Sequence, residues 1–399
     1  TEVTFTITAP EGKQIASVTY NDETISANED GTYTITVNAD GTLSVTLEDI
    51  PQPGKALLVP SANGRNIYTF RIDDAVLGSH TNGSCDANDL RSHNFTYSAW
   101  INIKNTTSGP IMGNIQSQFI DATGAFVVSL KDGKLNLSGR GNTSDSGYAN
   151  EQPRATETTD PGTANDEWVF VSVVADREAK TVTLYKNCKA ISHYDVTNKI
   201  GLLPDKSSFF IGGNGTSVEF TEVQLWNKAL TPDELMDSYN LKFTETPENL
   251  AAYYKPAELV EGSTTDLRNL GTVGTDVPGQ LLMGTSSYDS SQWTYVYNGT
   301  PQDIELIDED RVLGTAAITL VQPTTEGNSF KVTDAKGKEI AAEVTLFEKL
   351  NVVPALAEGV EVLGVIVEAD GVKTTYTLDQ FPIRATGDMT ISLRLNDLF

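Results

Sequence analysis

Phe95-Thr96-Tyr97-Ser98-Ala99-Trp100-Ile101-Asn102 is the stretch on which the reading of the fold turns. Aromatic and β-branched residues dominate it, the composition of a strand. Downstream, Asp166-Glu167-Trp168-Val169-Phe170-Val171-Ser172-Val173-Val174 leads into Val182-Thr183-Leu184-Tyr185-Lys186-Asn187-Cys188-Lys189, two further strands that read as a hairpin. Phe209-Phe210-Ile211-Gly212-Gly213 adds a short one. Glu222-Val223-Gln224-Leu225-Trp226-Asn227-Lys228-Ala229-Leu230 then runs into Thr231-Pro232-Asp233-Glu234-Leu235. There the pattern predicts a helix over 232–240: Thr231 as N-cap, Pro232 at the first helical position, and Glu234 closing a capping box.

Around this centre almost everything reads as β. Val3, Phe5 and Ile7 alternate with threonines, the period-two mark of a half-buried strand. Tyr33, Ile35 and Val37 are expected to face Leu43, Val45 and Leu47 across Asn38-Ala39-Asp40-Gly41 as a hairpin. Pro51, Pro53 and Gly54 mark a connector, which sets a small β-domain at residues 1–60 and a larger region at 64–243. Residues 244–300 are less regular and are expected as an extension packed on that region. Past Arg311 alternation returns in Ile318 and Leu320. Val365 and Val367 turn at Ala369-Asp370-Gly371 into Tyr376 and Leu378, and Ile391, Leu393 and Leu395 follow, which predicts a C-terminal β-sandwich over 305–399.

Composition narrows function. The 399 residues carry a formal charge of −26, so no basic surplus exists to replace counterions on nucleic-acid phosphates. No apolar run approaches the ~20 residues of a membrane helix. The acidity serves solubility or, where carboxylates cluster, a hard divalent cation. Two cysteines, Cys85 and Cys188, exclude a thiolate zinc centre, and His80, His93 and His193 are scattered.

The four central pieces, in this order, resemble the laminin-G/concanavalin-A-like lectin and glucanase superfamily, over residues 95–239. The resemblance implies an all-β architecture, a jelly-roll sandwich flanked by smaller β-domains. It also implies Trp100, Trp168 and Trp226 in the core, the alternative for each being an exposed sugar-binding platform, and a short helix closing the sandwich. Asn249-Leu250-Ala251-Ala252-Tyr253-Tyr254 and Asp266-Leu267-Arg268-Asn269 are faintly similar to segments found beside such modules. Many relatives sit on surface lipoproteins of gut-dwelling Gram-negative bacteria near glycan-uptake machinery. An exported, lipid-anchored glycan-capture protein is therefore expected, with a glycan or polysaccharide and uptake proteins as partners. Thr1 opening directly into strand-like sequence fits a trimmed mature chain. Calcium is the family's common ion, and Asp73, Asp74, Asp86 and Asp89 are its candidate ligands; the Asp that usually precedes Glu222 is Thr221 here.

Catalysis is not expected. Laminarinase-like members place E-x-D-x-x-E on one strand, which puts nucleophile and acid on the same face; Glu368-Ala369-Asp370 is followed by Lys373 instead. Ser287-Tyr288-Asp289-Ser290-Ser291-Gln292-Trp293-Thr294 is similar to a sialidase turn but lacks its glycine and its order. An adhesion or structural sandwich binding a protein, and a cryptic glycoside hydrolase, stand as the alternatives. The long polar stretch 139–165 is either a binding loop or a mobile surface loop. Arg140, Asn142, Asp145, Tyr148 and Arg154 in it are the types that hold hydroxyl-rich ligands. Cys188 stands where the family's hairpin turn usually has Gly. A Cys85–Cys188 disulfide is expected in an oxidising compartment, the alternative being two cysteines beyond the ~7 Å reach of a bridge.

Overall fold

A computed structural model describes residues 1–396 apart from 10–12, 22, 26, 29–31, 38–39, 50–53, 62–66, 73–79, 82–83, 86–93, 105, 115–125, 140–153, 156, 197–207, 214, 242–244 and 290–293. The chain divides into two compact units, Thr1–Gly54 and Lys55–Phe399.

In the first unit, Glu2–Phe5 pairs with Tyr33–Thr36, and Lys13–Tyr20 pairs with Leu43–Asp49. The expected hairpin between Tyr33–Val37 and Leu43–Leu47 does not form. Alternation tells which face of a strand is apolar and not which strand lies beside it; here each strand takes a partner from earlier in the chain. Val18 and Tyr33 are buried here, the Tyr33 ring stacked 6.0 Å from Phe5.

The second unit is built on Phe95–Lys104, which lies between Trp168–Asp176 and Ser217–Trp226 in antiparallel register. On one side this sheet continues into Thr181–Lys186 and Lys189–Asp195, on the other into Lys55–Val59 and Leu306–Asp308. The facing sheet runs Lys134–Gly139, Phe126–Lys131, Gly109–Asn114, Phe209–Ile211, Ile67–Ile72, Gly279–Asp289, Thr294–Pro301. Leu250–Leu259 and Asp266–Asn269 link the two. Lys55–Val59, Leu250–Leu259, Asp266–Asn269, Gly279–Asp289, Thr294–Pro301 and Leu306–Asp308 are therefore strands of the sandwich itself, which corrects the boundaries at 64 and 243 and the reading of 244–300 as irregular.

Period-two geometry sorts the central strands onto two cores. Tyr97, Ala99, Ile101 and Ile103 point inward with Val169, Val171, Val173, Val223 and Leu225, meeting Phe70, Phe126, Phe209 and Ile211 of the facing sheet. Trp100, Phe170, Val174 and Trp226 point the other way. A strand apolar on both faces needs a layer on each, and helix α1, Pro232–Asn240, supplies part of the second. Its capping box is formed as expected: Glu234 N–H donates to the Thr231 hydroxyl at 3.3 Å and Thr231 N–H to the Glu234 carboxylate at 3.0 Å.

The C-terminal module closes that layer. One sheet has the order Glu343–Thr345, Thr315–Val321, Met389–Leu395, Val362–Ala369, Val372–Tyr376; the other pairs Ser329–Thr333, Lys349–Ala355 and Ile383–Arg384. Ile318, Phe330, Val332, Leu350, Val365 and Ile391 fill its core. The expected turn at Ala369-Asp370-Gly371 is present, with Lys373 reaching Glu368 at 3.3 Å across it. The Arg384 guanidinium ties the module to α1, bonding Asp233 through two nitrogens and Asp237 at 3.0 Å, and donating to Phe347 O at 3.0 Å. The molecule is all-β in class, with one short α-helix among the described residues.

Candidate functional site

The outward-facing aromatic cluster is covered by α1 over most of its extent. Tyr239 packs 4.6 Å from Trp100 and 5.0 Å from Phe347 of the C-terminal module, ring centre to ring centre. Trp168, first residue of its strand, sits at the edge of this cover and stays partly exposed. This corrects its expected core place, which Trp100 and Trp226 do occupy. Beside it a cleft of about 710 Å³ opens along the seam between sandwich and C-terminal module. Trp100, Trp168, Met236, Val312 and Leu346 give it apolar wall; Asp166, Glu167, Asn187, Lys189, Asp310 and Thr386 give it polar groups. That volume falls within the ~300–1,000 Å³ of ordinary ligand pockets.

Three consecutive residues joining the two modules, Glu309-Asp310-Arg311, are each bound to the sandwich. The Asp310 carboxylate accepts the Trp168 indole N–H at 2.6 Å, which fixes how that ring presents itself to the cleft. The Arg311 guanidinium lies 4.8 Å over the Trp100 ring, an arrangement that contributes roughly 0.5–2 kcal/mol. It also pairs with Glu309 at 2.5 Å. Burial raises the Glu309 carboxyl above its ordinary pKa; Arg311 opposes this, and the nearby Glu222 carboxylate adds to it. Glu222 occupies the bulge that breaks register opposite Ala99, at φ 54°, and the Tyr253 hydroxyl donates to it. Neither Glu222 nor Glu309 lines the cleft.

The hairpin beside Trp168 shapes the other wall. Lys186 pairs with Lys189 across Asn187-Cys188, whose φ values of 48° and 63° are those of a type I′ turn. The Asn187 side-chain oxygen accepts the Phe170 N–H at 2.8 Å and anchors the turn to its neighbour. Cys188 is a free thiol, 8% exposed, whose sulfur contacts Leu235 O at 3.4 Å under α1. Burial pushes its pKa up to about 12, against the opposing charge of Arg384. The expected bridge to Cys85 is thus corrected: the turn directs the sulfur inward among apolar side chains. Cys85 is described only as backbone, in the strand Ser84–Cys85.

Most residues proposed from sequence lie outside the described set: Arg140, Asn142, Asp145 and Tyr148 of the loop, and Asp73, Asp74, Asp86 and Asp89 of the calcium reading. Arg154 is described as backbone, in a two-residue strand paired through Gly139. The far end of the loop is firmly held. Asp160 is buried and accepts from Leu135 N–H at 2.8 Å, Thr163 Oγ1 at 2.8 Å, Gly162 N–H at 3.1 Å and Lys186 Nζ at 3.2 Å. Among the described residues no group of three His, Cys, Asp or Glu side chains could hold a metal ion, and no helix is long and apolar enough to cross a membrane. Sequence reasoning missed the cleft. The one available signal was the shared parity of Trp100, Trp168 and Phe170, since nothing in the sequence marks Asp310.

The fold is an antiparallel β-sandwich with an aromatic layer on its outer face. Residues 77–236 match the model of the family described as the concanavalin A-like lectin/glucanases superfamily, as the resemblance over 95–239 implied. No curated protein sequence matches the chain. Among solved structures, a proposed carbohydrate-binding protein from Bacteroides ovatus is similar at 15% identity and TM-score 0.40, over 68% of this chain and 80% of its own. A heptameric SAP-like pentraxin from Limulus polyphemus matches at 16% identity and TM-score 0.30, over 46% and 80%. The CBM40 domain of a Ruminococcus gnavus sialidase, bound to α2,3-sialyllactose, matches at 11% identity and TM-score 0.28, over 41% and 89%.

Proposed function

We propose that this chain is a non-catalytic carbohydrate-binding protein of the bacterial cell surface, exported, lipid-anchored and serving glycan capture beside uptake proteins. The match of residues 77–236 to a lectin and glucanase superfamily carries this reading. The long loop, held at its far end by Asp160, is the proposed binding rim, with Arg140 and Arg154 as donors, Asn142 and Asp145 for hydroxyls, and Tyr148 as the aromatic face. Binding residues gather on loops borne by rigid scaffolds, and the loop springs from Lys134–Gly139, whose Leu135 and Leu137 are buried in the sandwich core. Calcium on Asp73, Asp74, Asp86 and Asp89 belongs to the same proposal, through the carboxylate oxygens that hard cations prefer.

Native electrophoresis through gels containing single polysaccharides tests the reading. Retardation by at least one plant, mucin or microbial polysaccharide, relative to an unrelated acidic protein, is the expected result. Unchanged mobility in every gel, together with retention on a protein-ligand column, would move the assignment to the adhesion class.

A further inference from the structure

We propose that the seam cleft beside Trp168 is a second saccharide site, one that takes an uncharged, hydroxyl-rich sugar. The inference rests on the glycan-binding reading but names a different place, built jointly by the sandwich and the C-terminal module.

The aromatic wall comes first. A pyranose presents one face of C–H groups and a rim of hydroxyls, so it needs an aromatic ring flanked by hydrogen-bonding groups. Trp168 lines the cleft and is held in one orientation by its bond to Asp310. That fixed ring is a preorganised platform, and preorganisation lowers the cost of binding. Around it stand acceptors from Glu167 and Asp310 and donors from Lys189 and Thr386, with Met236 and Val312 completing the apolar part.

The charges of the cleft then exclude other ligand classes. Asp166 shares the Lys104 ammonium, at 2.6 Å, with Glu219 at 3.3 Å and so keeps part of its negative charge. The face of Trp100 that a cation would seek is occupied by Arg311 at 4.8 Å. Asp310 spends one oxygen on the indole of Trp168. Asp310 keeps its charge, since an indole N–H is neutral, and Glu167 adds a second carboxylate against the single ammonium of Lys189. A carboxylated sugar would meet Asp166, Glu167 and Asp310 together, and like-charge juxtaposition is unfavourable in a partly desolvated site. An organic cation would find the Trp100 ring already taken by Arg311 and the Lys189 ammonium in the same cleft as the Trp168 ring. An uncharged sugar faces neither cost.

Asp310 is in this scheme a positioning residue that acts through Trp168. Because it belongs to the connector, the site is complete only when both modules are present in one chain.

The test is calorimetric titration of the full chain with maltohexaose, cellohexaose, mannohexaose and xylohexaose, and with oligogalacturonate and choline as charged comparators. Trp168→Ala removes the platform. Val312→Arg obstructs the mouth from a side chain that is 86% exposed and so leaves folding intact. The expected result is binding of at least one neutral hexasaccharide, weakened about thirtyfold by either substitution, as for loss of an aromatic anchor, and retained in Tyr148→Ala. Oligogalacturonate and choline should not compete for it. Saccharide binding untouched by both seam substitutions and abolished by Tyr148→Ala overturns the inference and leaves the functional reading standing. Choline or oligogalacturonate bound in place of every neutral sugar, and lost in both seam variants, overturns it too. A chain that binds no saccharide at all overturns both.

Discussion

Asp160→Asn should destabilise the sandwich by about 3–5 kcal/mol, the cost of removing one partner from a buried, hydrogen-bonded ion pair. The geometry shows why so conservative a change is expensive. The Asp160 side chain has no exposure and Lys186 is 12% exposed, so neither can turn to water for compensation. One carboxylate oxygen accepts from Leu135 N–H and Thr163 Oγ1, the other from Gly162 N–H and Lys186 Nζ. An amide keeps one acceptor and turns two N–H donors toward groups that are themselves donors. Two buried donors then lose their partner, at roughly 1–3 kcal/mol each. Lys186 keeps Gly162 O at 2.7 Å and Thr163 Oγ1 at 3.0 Å but loses its counter-charge.

Burial by itself would raise the Asp160 pKa. The bonds from Leu135, Thr163 and Gly162, with the Lys186 charge, outweigh it and hold the carboxyl below the ordinary range. A carboxyl depressed in the folded state contributes stability that is fully present above the unfolded pKa of about 3.9 and disappears as pH falls through the folded value. Differential scanning calorimetry at pH 7 should therefore show the sandwich transition lowered by roughly 6–20 °C. The gap between wild type and variant should narrow progressively below about pH 4. A shift under about 2 °C at pH 7, or a gap independent of pH, would refute the reasoning and show the cluster to be hydrated.

Three further outcomes are expected. Arg384→Ala should cost about 1–3 kcal/mol, between exposed and buried ion-pair values, because a guanidinium only 8% exposed holds Asp233, 62% exposed, and Asp237, 36% exposed. Limited proteolysis should then cut first between the sandwich and the C-terminal module, and an unchanged digestion pattern would count against that latch. Cys188, with its pKa near 12, should resist iodoacetamide at pH 8 in native protein and react on denaturation without reductant; alkylation at equal rates in both states would contradict its burial. Tyr148→Ala should remove glycan affinity at the loop with melting nearly unchanged, as a surface substitution would. A large fall in Tm would show Tyr148 to be a packing residue.

What was legible in the sequence was local. The capping box at Thr231 and Glu234 fixes the start of α1 within four residues, and the turn at Ala369-Asp370-Gly371 is set by its own backbone needs. The strand at Phe95 was legible because both its parities are apolar. Pairing was not, since it depends on loop closure and on which edge is free: Tyr33–Thr36 goes to Glu2–Phe5 and not to its neighbour in sequence. Lys55–Val59 joins the sheet through partners more than 150 residues away, Leu57 lying beside Phe220 and Leu306, and Gly279–Asp289 does so through Ile67–Ile72. The seam cleft was invisible for the same reason. Trp168 and Asp310 stand 142 residues apart and meet only in the folded sandwich, and an aspartate in a polar connector looks like any other solvated charge.

The central claim is that the chain binds carbohydrate without cleaving it. An array of plant, host-mucin and microbial glycans, probed with the purified chain with and without chelator, tests it most directly when each bound glycan is afterwards incubated with the chain and analysed for shortened products. The account predicts saturable binding to a defined set of glycans, reduced by chelator if calcium occupies the proposed aspartates, with every bound glycan recovered intact. Binding to none of them, or recovery of hydrolysed product from active chain, would contradict it.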